Sequence, residues 1–170
     1  MKKVILSILG IVILLVAGFF CIGVVVPTVE YTTTVEINKP RDFTWNVIRE
    51  RKEWIYGLKS YQLVSGQPNE KGSRAKITVV RDGREMSFDS ELMDIKPPEM
   101  SVTELTNDML THDATVHLTE NNNKTTIVSN EKIVGKNAFF RSLFALFKGS
   151  IISVSQKNFE GLKQVVESSN

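Results

Sequence analysis

The sequence has few cysteines and histidines, and this scarcity excludes several kinds of site. Its only cysteine, Cys21, lies inside a long apolar run, so the rest of the chain cannot form an internal disulfide even in an oxidising compartment. A structural zinc site with thiolate ligands is excluded for the same reason. Two histidines, His112 and His117, are too few for a histidine-rich metal site. The sequence therefore indicates no metal and no other cofactor.

The chain also lacks a charge excess outside its first residues. It has 21 Lys and Arg residues against 19 Asp and Glu residues, and Lys2 and Lys3 account for this difference of two. The neutral remainder gives no electrostatic reason to expect nucleic-acid binding. The sequence shows no internal repeat and no low-complexity tract.

What the chain does have is an uncharged run from Val4 to Val26. A helix of this length measures about 34 Å, enough to cross a hydrocarbon core of about 30 Å. Lys2 and Lys3 precede the run, and no other cation follows before Lys39, so the N-terminus is predicted to be cytoplasmic. We expect residues 1–27 to form a single-pass anchor in the cell membrane. Residues 28–170 are expected to form one extracytoplasmic domain.

Two alternatives to a retained anchor remain open. A cleaved signal peptide has an apolar segment of about 7 to 15 residues that ends in small residues. The present run is longer, and it ends in Val24-Val25-Val26-Pro27, a poor cleavage site. Lipoprotein processing at Cys21 is the second alternative, but Phe19 and Phe20 occupy the positions where small residues are required.

The order of secondary structure after the run indicates an α+β domain. A β-branched strand is followed by Asn38 and Pro40, which suit a helix cap and a first helical turn, and by a second short helical piece at Trp54. Apolar residues at helical spacing predict one long helix over residues 137–167. Turn residues separate the predicted strands, which cover 29–37, 61–66, 73–81, 84–95, 100–107, 110–119 and 125–134.

The chain resembles the START-like, or SRPBCC, superfamily, and within it the polyketide cyclase/dehydrase and lipid-transport group. The residues that carry this resemblance are Val35-Glu36-Ile37-Asn38-Lys39-Pro40, Trp45-Asn46-Val47-Ile48, Trp54, Gly72, Pro97-Pro98, Lys124-Thr125-Thr126-Ile127-Val128 and Gly161 to Glu167. The resemblance implies a helix-grip fold, in which a seven-stranded antiparallel sheet curls around a long C-terminal helix. One transmembrane helix would precede that fold. The superfamily contains carriers, cyclases and regulators, so the fold does not determine the function.

Strand alternation predicts which side chains face the space between the sheet and the helix. These side chains are apolar except for His112, and phenylalanines and an isoleucine of the C-terminal segment would complete the pocket. The predicted ligand-pocket residues are Ala75, Ile77, Val79, Phe88, Leu92, His112, Ala114, Val116, Phe144, Phe147 and Ile151.

Few residues in this pocket could carry out chemistry. His112 is in phase with apolar neighbours and could bind a ligand or act as a base, although a structural histidine explains the same pattern. An acid/base pair of His112 with Glu104 requires that Glu104 also face inward. Ser90 has no nucleophile-elbow context. No catalytic residue is assigned.

Four of the nine phenylalanines lie between Phe139 and Phe147, a segment that is apolar on more than one helix face. One explanation of this pattern is that these phenylalanines pack in the core. The functional hypothesis is that part of the segment forms a portal or lid that dips toward the bilayer.

The sequence favours a membrane-anchored, non-enzymatic binding domain for a lipid or another hydrophobic small molecule. Its expected partners are the membrane, contacted through residues 4–26, and that small molecule. Two alternatives are a cyclase/dehydrase-type enzyme that acts on a bound hydrophobic substrate and a module that binds another envelope protein.

Overall fold

Seven strands and four helices make up the computed structural model, which describes residues 2–50 and 52–169. The helices are α1 (Lys2–Val25), α2 (Arg41–Glu50), α3 (Ala138–Leu146) and α4 (Lys148–Ser168). The strands are β1 (Thr28–Ile37), β2 (Leu58–Ser65), β3 (Arg74–Arg81), β4 (Arg84–Lys96), β5 (Met100–Thr106), β6 (Leu110–Asn121) and β7 (Lys124–Gly135).

The strands form one antiparallel sheet in the order β1-β7-β6-β5-β4-β3-β2. Strands β2 to β7 follow one another as a meander, and β1 pairs along the free side of β7. Two hairpin turns use positive φ angles, at Asp82 and Gly83 between β3 and β4 and at Asn122 and Asn123 between β6 and β7. Asn, Asp and Gly adopt such angles at the lowest cost, so these dipeptides determine where the strands reverse.

The closed part of the core lies where α2 and the C-terminal half of α4 cover one end of the sheet. Its buried side chains come from α2, α4, β1, β6 and β7. They are Ile37, Trp45, Val47, Leu118, Ile127, Leu162 and Val166. The fold predicted from the sequence, an antiparallel sheet with long C-terminal helical structure and an apolar helix before it, is confirmed.

Two predicted helical segments differ from the structure. The second short helical piece is instead a series of turns, in which Trp54 lies. The long C-terminal helix is two helices, α3 and α4, which meet at an angle of 71°. The break falls at Phe147, whose φ of −101° and ψ of 21° depart from helical values. Gly149 and Ser150 follow it, and both residues have low helix propensity.

Helix α1 projects its side chains outward along most of its length, and Gly23 is its one buried residue. Of the helices described, α1 alone is long and apolar enough by itself to cross a membrane, a test that a signal sequence also passes. Its last turns pack against α3. Only Val26 and Pro27 separate α1 from β1, so the connector has almost no slack.

Candidate ligand-binding site

The strand register defines the inner face of the sheet, which we take as the face that contacts α4. Directly paired residues of antiparallel strands share a face, and residues alternate between faces along each strand. Ser155 of α4 hydrogen-bonds to Thr33 of β1 and to Glu131 of β7, so these strand residues face inward. One inward row crosses the whole sheet through Val29, Ile133, His112, Leu105, Ser90, Ala75 and Leu63.

The register places all eight predicted pocket residues of the strands on this inner face. They are Ala75, Ile77, Val79, Phe88, Leu92, His112, Ala114 and Val116. Among the helical members of the prediction, Phe144 of α3 and Ile151 of α4 are half-buried. Phe147 lies at the junction of α3 and α4 and is 55% exposed. Their contact with a ligand stays a prediction.

The inner face is closed at one end and accessible along β4 to β6. Ala75, Ile77 and Val79 of β3 are buried. Five inward side chains in the middle of the next three strands are only half-buried, namely Phe88, Leu92, Leu105, Ala114 and Val116, whereas Leu118 of β6 is buried in the closed core. The strand that α4 approaches most closely is β1, at the far side of the sheet. Apolar surface is therefore left accessible in the middle of the inner face.

A polar cluster interrupts this apolar face, and Glu131 lies at its centre. The Glu131 side chain is 6% exposed. Its Oε2 accepts a hydrogen bond from the Tyr31 hydroxyl at 2.7 Å and lies 3.0 Å from His112 Nε2. Its Oε1 accepts from the Ser155 hydroxyl at 2.5 Å. Ser155 Oγ is also 3.0 Å from Thr33 Oγ1, which joins β1, β6, β7 and α4 in one network.

The electrostatics of the cluster keep Glu131 charged and Tyr31 neutral. Burial acts to raise the pKa of the Glu131 carboxyl, but the hydrogen bonds from His112, Ser155 and Tyr31 outweigh burial and hold that pKa below its usual range. Burial raises the pKa of Tyr31 strongly, and the negative charge of Glu131 raises it further. A carboxylate with three donors is stabilised where it is, and this makes it a weak proton acceptor.

His112 is partly exposed and has a ring nitrogen that a ligand could contact. Its side chain is 18% exposed, whereas that of Glu131 is 6% exposed. Glu131 engages Nε2, and no described residue forms a hydrogen bond with Nδ1. Because Nε2 donates to the Glu131 carboxylate, Nδ1 of the neutral imidazole is an acceptor, and a donor group of a ligand that reaches the inner face could hydrogen-bond to it.

The structure does not bring together His112 and Glu104, the acid/base pair considered from the sequence. Glu104 is opposite Asp113 in β6 and opposite Glu91 in β4, whereas His112 is opposite Leu105. Glu104 therefore projects from the outer face, and β6 and β7, not β5, supply the charged partner of His112. Ser90 does face inward, but the residues directly opposite it, Ala75 and Leu105, cannot act as a general base.

A cleft of about 280 Å³ lies at strands β3 to β5, and only Ala75 and Ser90 of its lining belong to the inner face. Most of its lining comes from outward-facing polar or charged side chains, which are Arg74, Asp89, Glu91, Glu104 and Thr106. Arg74 and Glu91 already pair with each other at 2.9 Å. This lining suits water and ions more than an apolar ligand.

Sequence reasoning missed Glu131, Tyr31, Ser155 and Thr33. A signal for Glu131 was present, because it is in phase with Ile127 and Ile133 along β7 and a charge in an apolar phase is unusual. Tyr31 is in phase with Val29 and Val35 in the same way. The two residues are 100 positions apart, so their contact emerges only from the folded sheet.

The chain matches no protein-family model and no curated protein. Its structure is similar to that of Ara h 8.0201, with a TM-score of 0.69, 14% identity and coverage of 84% of this chain and 99% of the other. It is also similar to ginseng major latex-like protein 151 from Panax ginseng, with a TM-score of 0.63, 11% identity and coverage of 81% and 97%.

A third similar structure is the di-domain ARO/CYC protein StfQ from the steffimycin biosynthetic pathway, with a TM-score of 0.65 and 12% identity. The match covers 82% of this chain and 51% of StfQ, so the chain spans about half of that protein. At these identities the likenesses establish the fold. The chain has a helix-grip fold, the fold that its resemblance to the START-like, or SRPBCC, superfamily implies.

Proposed function

We propose that this protein is a membrane-anchored, non-enzymatic binding domain for a lipid or another hydrophobic small molecule. Residues 1–27 would form the anchor and residues 28–170 the binding domain. The N-terminus would be cytoplasmic, because Lys2 and Lys3 flank the apolar helix on that side, and the binding domain would be extracytoplasmic.

The observation that carries this proposal is the accessible apolar surface of the inner face. Sites for small molecules are concave and mostly apolar, and they contain a few polar groups that orient the ligand. Phe88, Leu92 and Ala114 would supply the apolar part of such a site. The cluster around Glu131 would supply the polar part. Within that cluster, no described residue forms a hydrogen bond with Nδ1 of His112.

The packing of α1 favours a retained anchor over a cleaved signal peptide. Gly23 is buried against α3, and its backbone N–H donates to Ser142 Oγ at 2.9 Å. Removal of α1 would break this hydrogen bond and expose the face of α3 that packs against α1, where Ser142 is fully buried. A segment that is to be discarded does not need such a fitted contact with the mature fold.

The proposal can be tested with the full chain purified in a mild detergent. Native mass spectrometry should detect a discrete added mass that disappears on denaturation. Ala114→Phe would fill the inner face and should abolish most of that added mass. Thr115→Phe is the matched control, because the next residue of β6 projects from the opposite face. Two outcomes would contradict the proposal and favour an envelope protein-interaction module. One is equal ligand loading of both variants, and the other is a wild-type protein that stays without ligand after incubation with membrane lipids.

One observation favours a second candidate, a cyclase/dehydrase-type enzyme. His112 and Glu131 form an imidazole–carboxylate pair, and such a pair can hold a histidine in position for proton transfer. A ligand identified by mass spectrometry distinguishes the two functions. Its chemical conversion by the wild type but not by His112→Gln would establish the enzyme.

A further inference from the structure

The contact between α1 and α3 is made by small residues and one serine hydroxyl. A Cβ atom on Gly23 would collide with the backbone of α3 at Ala138 and with Ser142, so only glycine allows the observed approach. Ala138 and Ser142 are four residues apart, the small-xxx-small spacing that brings helices close together within lipid.

Ser142 binds the same turn of α1 twice. Its Oγ accepts the Gly23 N–H at 2.9 Å and lies 2.5 Å from the Phe19 carbonyl oxygen, to which it donates. The rings of Phe19 and Phe139 add a contact at 5.5 Å between centroids. These contacts, which we call the α1–α3 clamp, involve Phe19, Gly23, Ala138, Phe139 and Ser142.

The clamp determines the depth of α3 if α1 crosses the bilayer. Phe19 and Gly23 are separated by about 6 Å along the helix axis, and Val26, where the apolar run ends, is about 4.5 Å beyond Gly23. Helix α3 therefore crosses α1 just inside the end of the membrane span. Interfacial helices bury their apolar face by about 5 to 10 Å, which is the same range.

The exposed surface of the segment around α3 suits that position. Phe139, Leu146 and Phe147 are 47%, 56% and 55% exposed, a concentration of large apolar side chains that is costly in water. Between Glu131 and Glu160 the sequence has five Lys or Arg residues and no acid, although the chain beyond Lys3 is neutral. Lys136 and Lys148 flank α3 and are exposed. Cations beside an apolar helix favour anionic lipid headgroups.

We infer that α3, held by the α1–α3 clamp, lies in the headgroup region of the leaflet that surrounds the C-terminal end of α1 and binds anionic lipid there. This inference depends on the proposed membrane anchor. It adds that α3 is a fixed part of the membrane-contacting surface, with its position set by Gly23 and Ser142.

The test uses the full chain in nanodiscs that contain lipids with spin labels near the headgroup, which quench a nearby fluorophore. One sample carries the fluorophore on the native Cys21, which is exposed on α1. Two others carry it on Leu146→Cys or Val64→Cys in a Cys21→Ser background. Val64 of β2 is 65% exposed and serves as the control for an exposed apolar position away from α3.

We expect strong quenching at Cys21 and Leu146→Cys and little at Val64→Cys. Quenching at Leu146→Cys should increase when phosphatidylglycerol partly replaces phosphatidylcholine. When Gly23→Leu is added to the Leu146→Cys protein, quenching at position 146 should decrease severalfold. In a separate Gly23→Leu sample labelled on Cys21, the fluorophore should stay quenched. Gly18→Leu is the matched control, because a Cβ atom at Gly18 meets nothing within 4 Å.

The outcomes separate this inference from the anchor on which it depends. Lack of quenching at Cys21 would refute the anchor itself. Quenching at Cys21 without quenching at Leu146→Cys would overturn only the position of α3. Quenching at Leu146→Cys that is insensitive to Gly23→Leu would overturn the role of the clamp, and insensitivity to phosphatidylglycerol would overturn the anionic-lipid preference.

Discussion

Glu131 shows how one buried charge can be accommodated in an apolar interior. An isolated carboxylate at that position would be costly, but three side-chain donors from three other elements surround it. Removing the charge while keeping the shape leaves these donors with a weaker partner. The cluster therefore contributes to the joining of β1, β6, β7 and α4, independently of any ligand.

We expect Glu131→Gln to destabilise the fold by about 2 kcal/mol, because hydrogen bonds to a charged group contribute about 1.5 to 3 kcal/mol. For a chain of this size, such a loss corresponds to a decrease of about 4 to 8 °C in the thermal midpoint. Thermal melting of the full chain in detergent would measure it. Glu85→Gln is the control, because Glu85 is a half-exposed partner of Lys59 and should change stability by less than about 1 kcal/mol.

The raised pKa of Tyr31 predicts a loss of stability at alkaline pH. A group whose pKa is higher in the folded state than its ordinary value of 10.0 contributes stability that is complete below that value and declines as pH rises above it. Wild-type protein should therefore lose stability above about pH 10 more steeply than Tyr31→Phe, which has no hydroxyl to ionise. Thermal midpoints of both proteins across this range would test the prediction, and parallel curves would contradict it.

The lowered pKa of Glu131 acts at the opposite end of the pH scale. Its contribution is present above the ordinary carboxyl pKa of 4.5 and is lost as pH falls through the lower folded value. Glu131→Gln should therefore remove part of the acid-induced destabilisation seen in the wild type.

At the scale of single residues, the sequence predicted the inward position of His112 but not its partner. Alternation within β6 is a local property and can be read from neighbouring residues. The partner depends on which strand pairs with β6 and in which register, and these are long-range facts. Glu104, the candidate partner considered from the sequence, lies on the outer face, and the weak alternation of β5 had left its facing undetermined.

At the scale of elements, α3 is short and depends on its cap. Asn137 accepts the Phe140 N–H through Oδ1 at 3.1 Å and satisfies one of the free donors of the first turn. We expect Asn137→Ala to cost about 1 kcal/mol and to increase amide hydrogen exchange across α3. Asn137→Asp keeps a cap acceptor and should exchange like the wild type. Equal exchange in the alanine variant would show that the packing of α3 holds the helix without its cap.

Most strands were predicted within a few residues because their periodicity and turns are local signals. The sequence predicts residues 110–119 for β6, for example, and the structure has Leu110–Asn121. The break between α3 and α4 was missed because apolar spacing continues across it. The second helix near Trp54 was wrong because one aromatic residue between charged and turn-forming neighbours does not make a helical stripe.

At the scale of the whole molecule, helix α3 contacts both the apolar helix α1 and strands β1 and β7 of the sheet. Phe139 contacts Phe19 of α1, and Phe140 stacks on Phe144 at 6.1 Å. If the segment forms a portal, replacing both Phe139 and Phe140 with serine should lower ligand loading without unfolding the protein. Native mass spectrometry would measure loading and circular dichroism would report the fold. Val64→Ser, at an exposed apolar position on β2, should load normally. Normal loading of a folded double variant would exclude the portal.

If α1 is retained as a membrane anchor, as proposed, the short connector between α1 and β1 limits where the domain can act. Its two residues, Val26 and Pro27, span about 7 Å at most. A domain on so short a tether cannot move across an aqueous space to deliver cargo to a distant membrane. It samples only the patch of lipid around its own anchor, and its local concentration relative to that patch is permanently high. Under the proposed anchoring, any ligand of the domain would come from, and return to, the adjacent leaflet or a partner that comes to it.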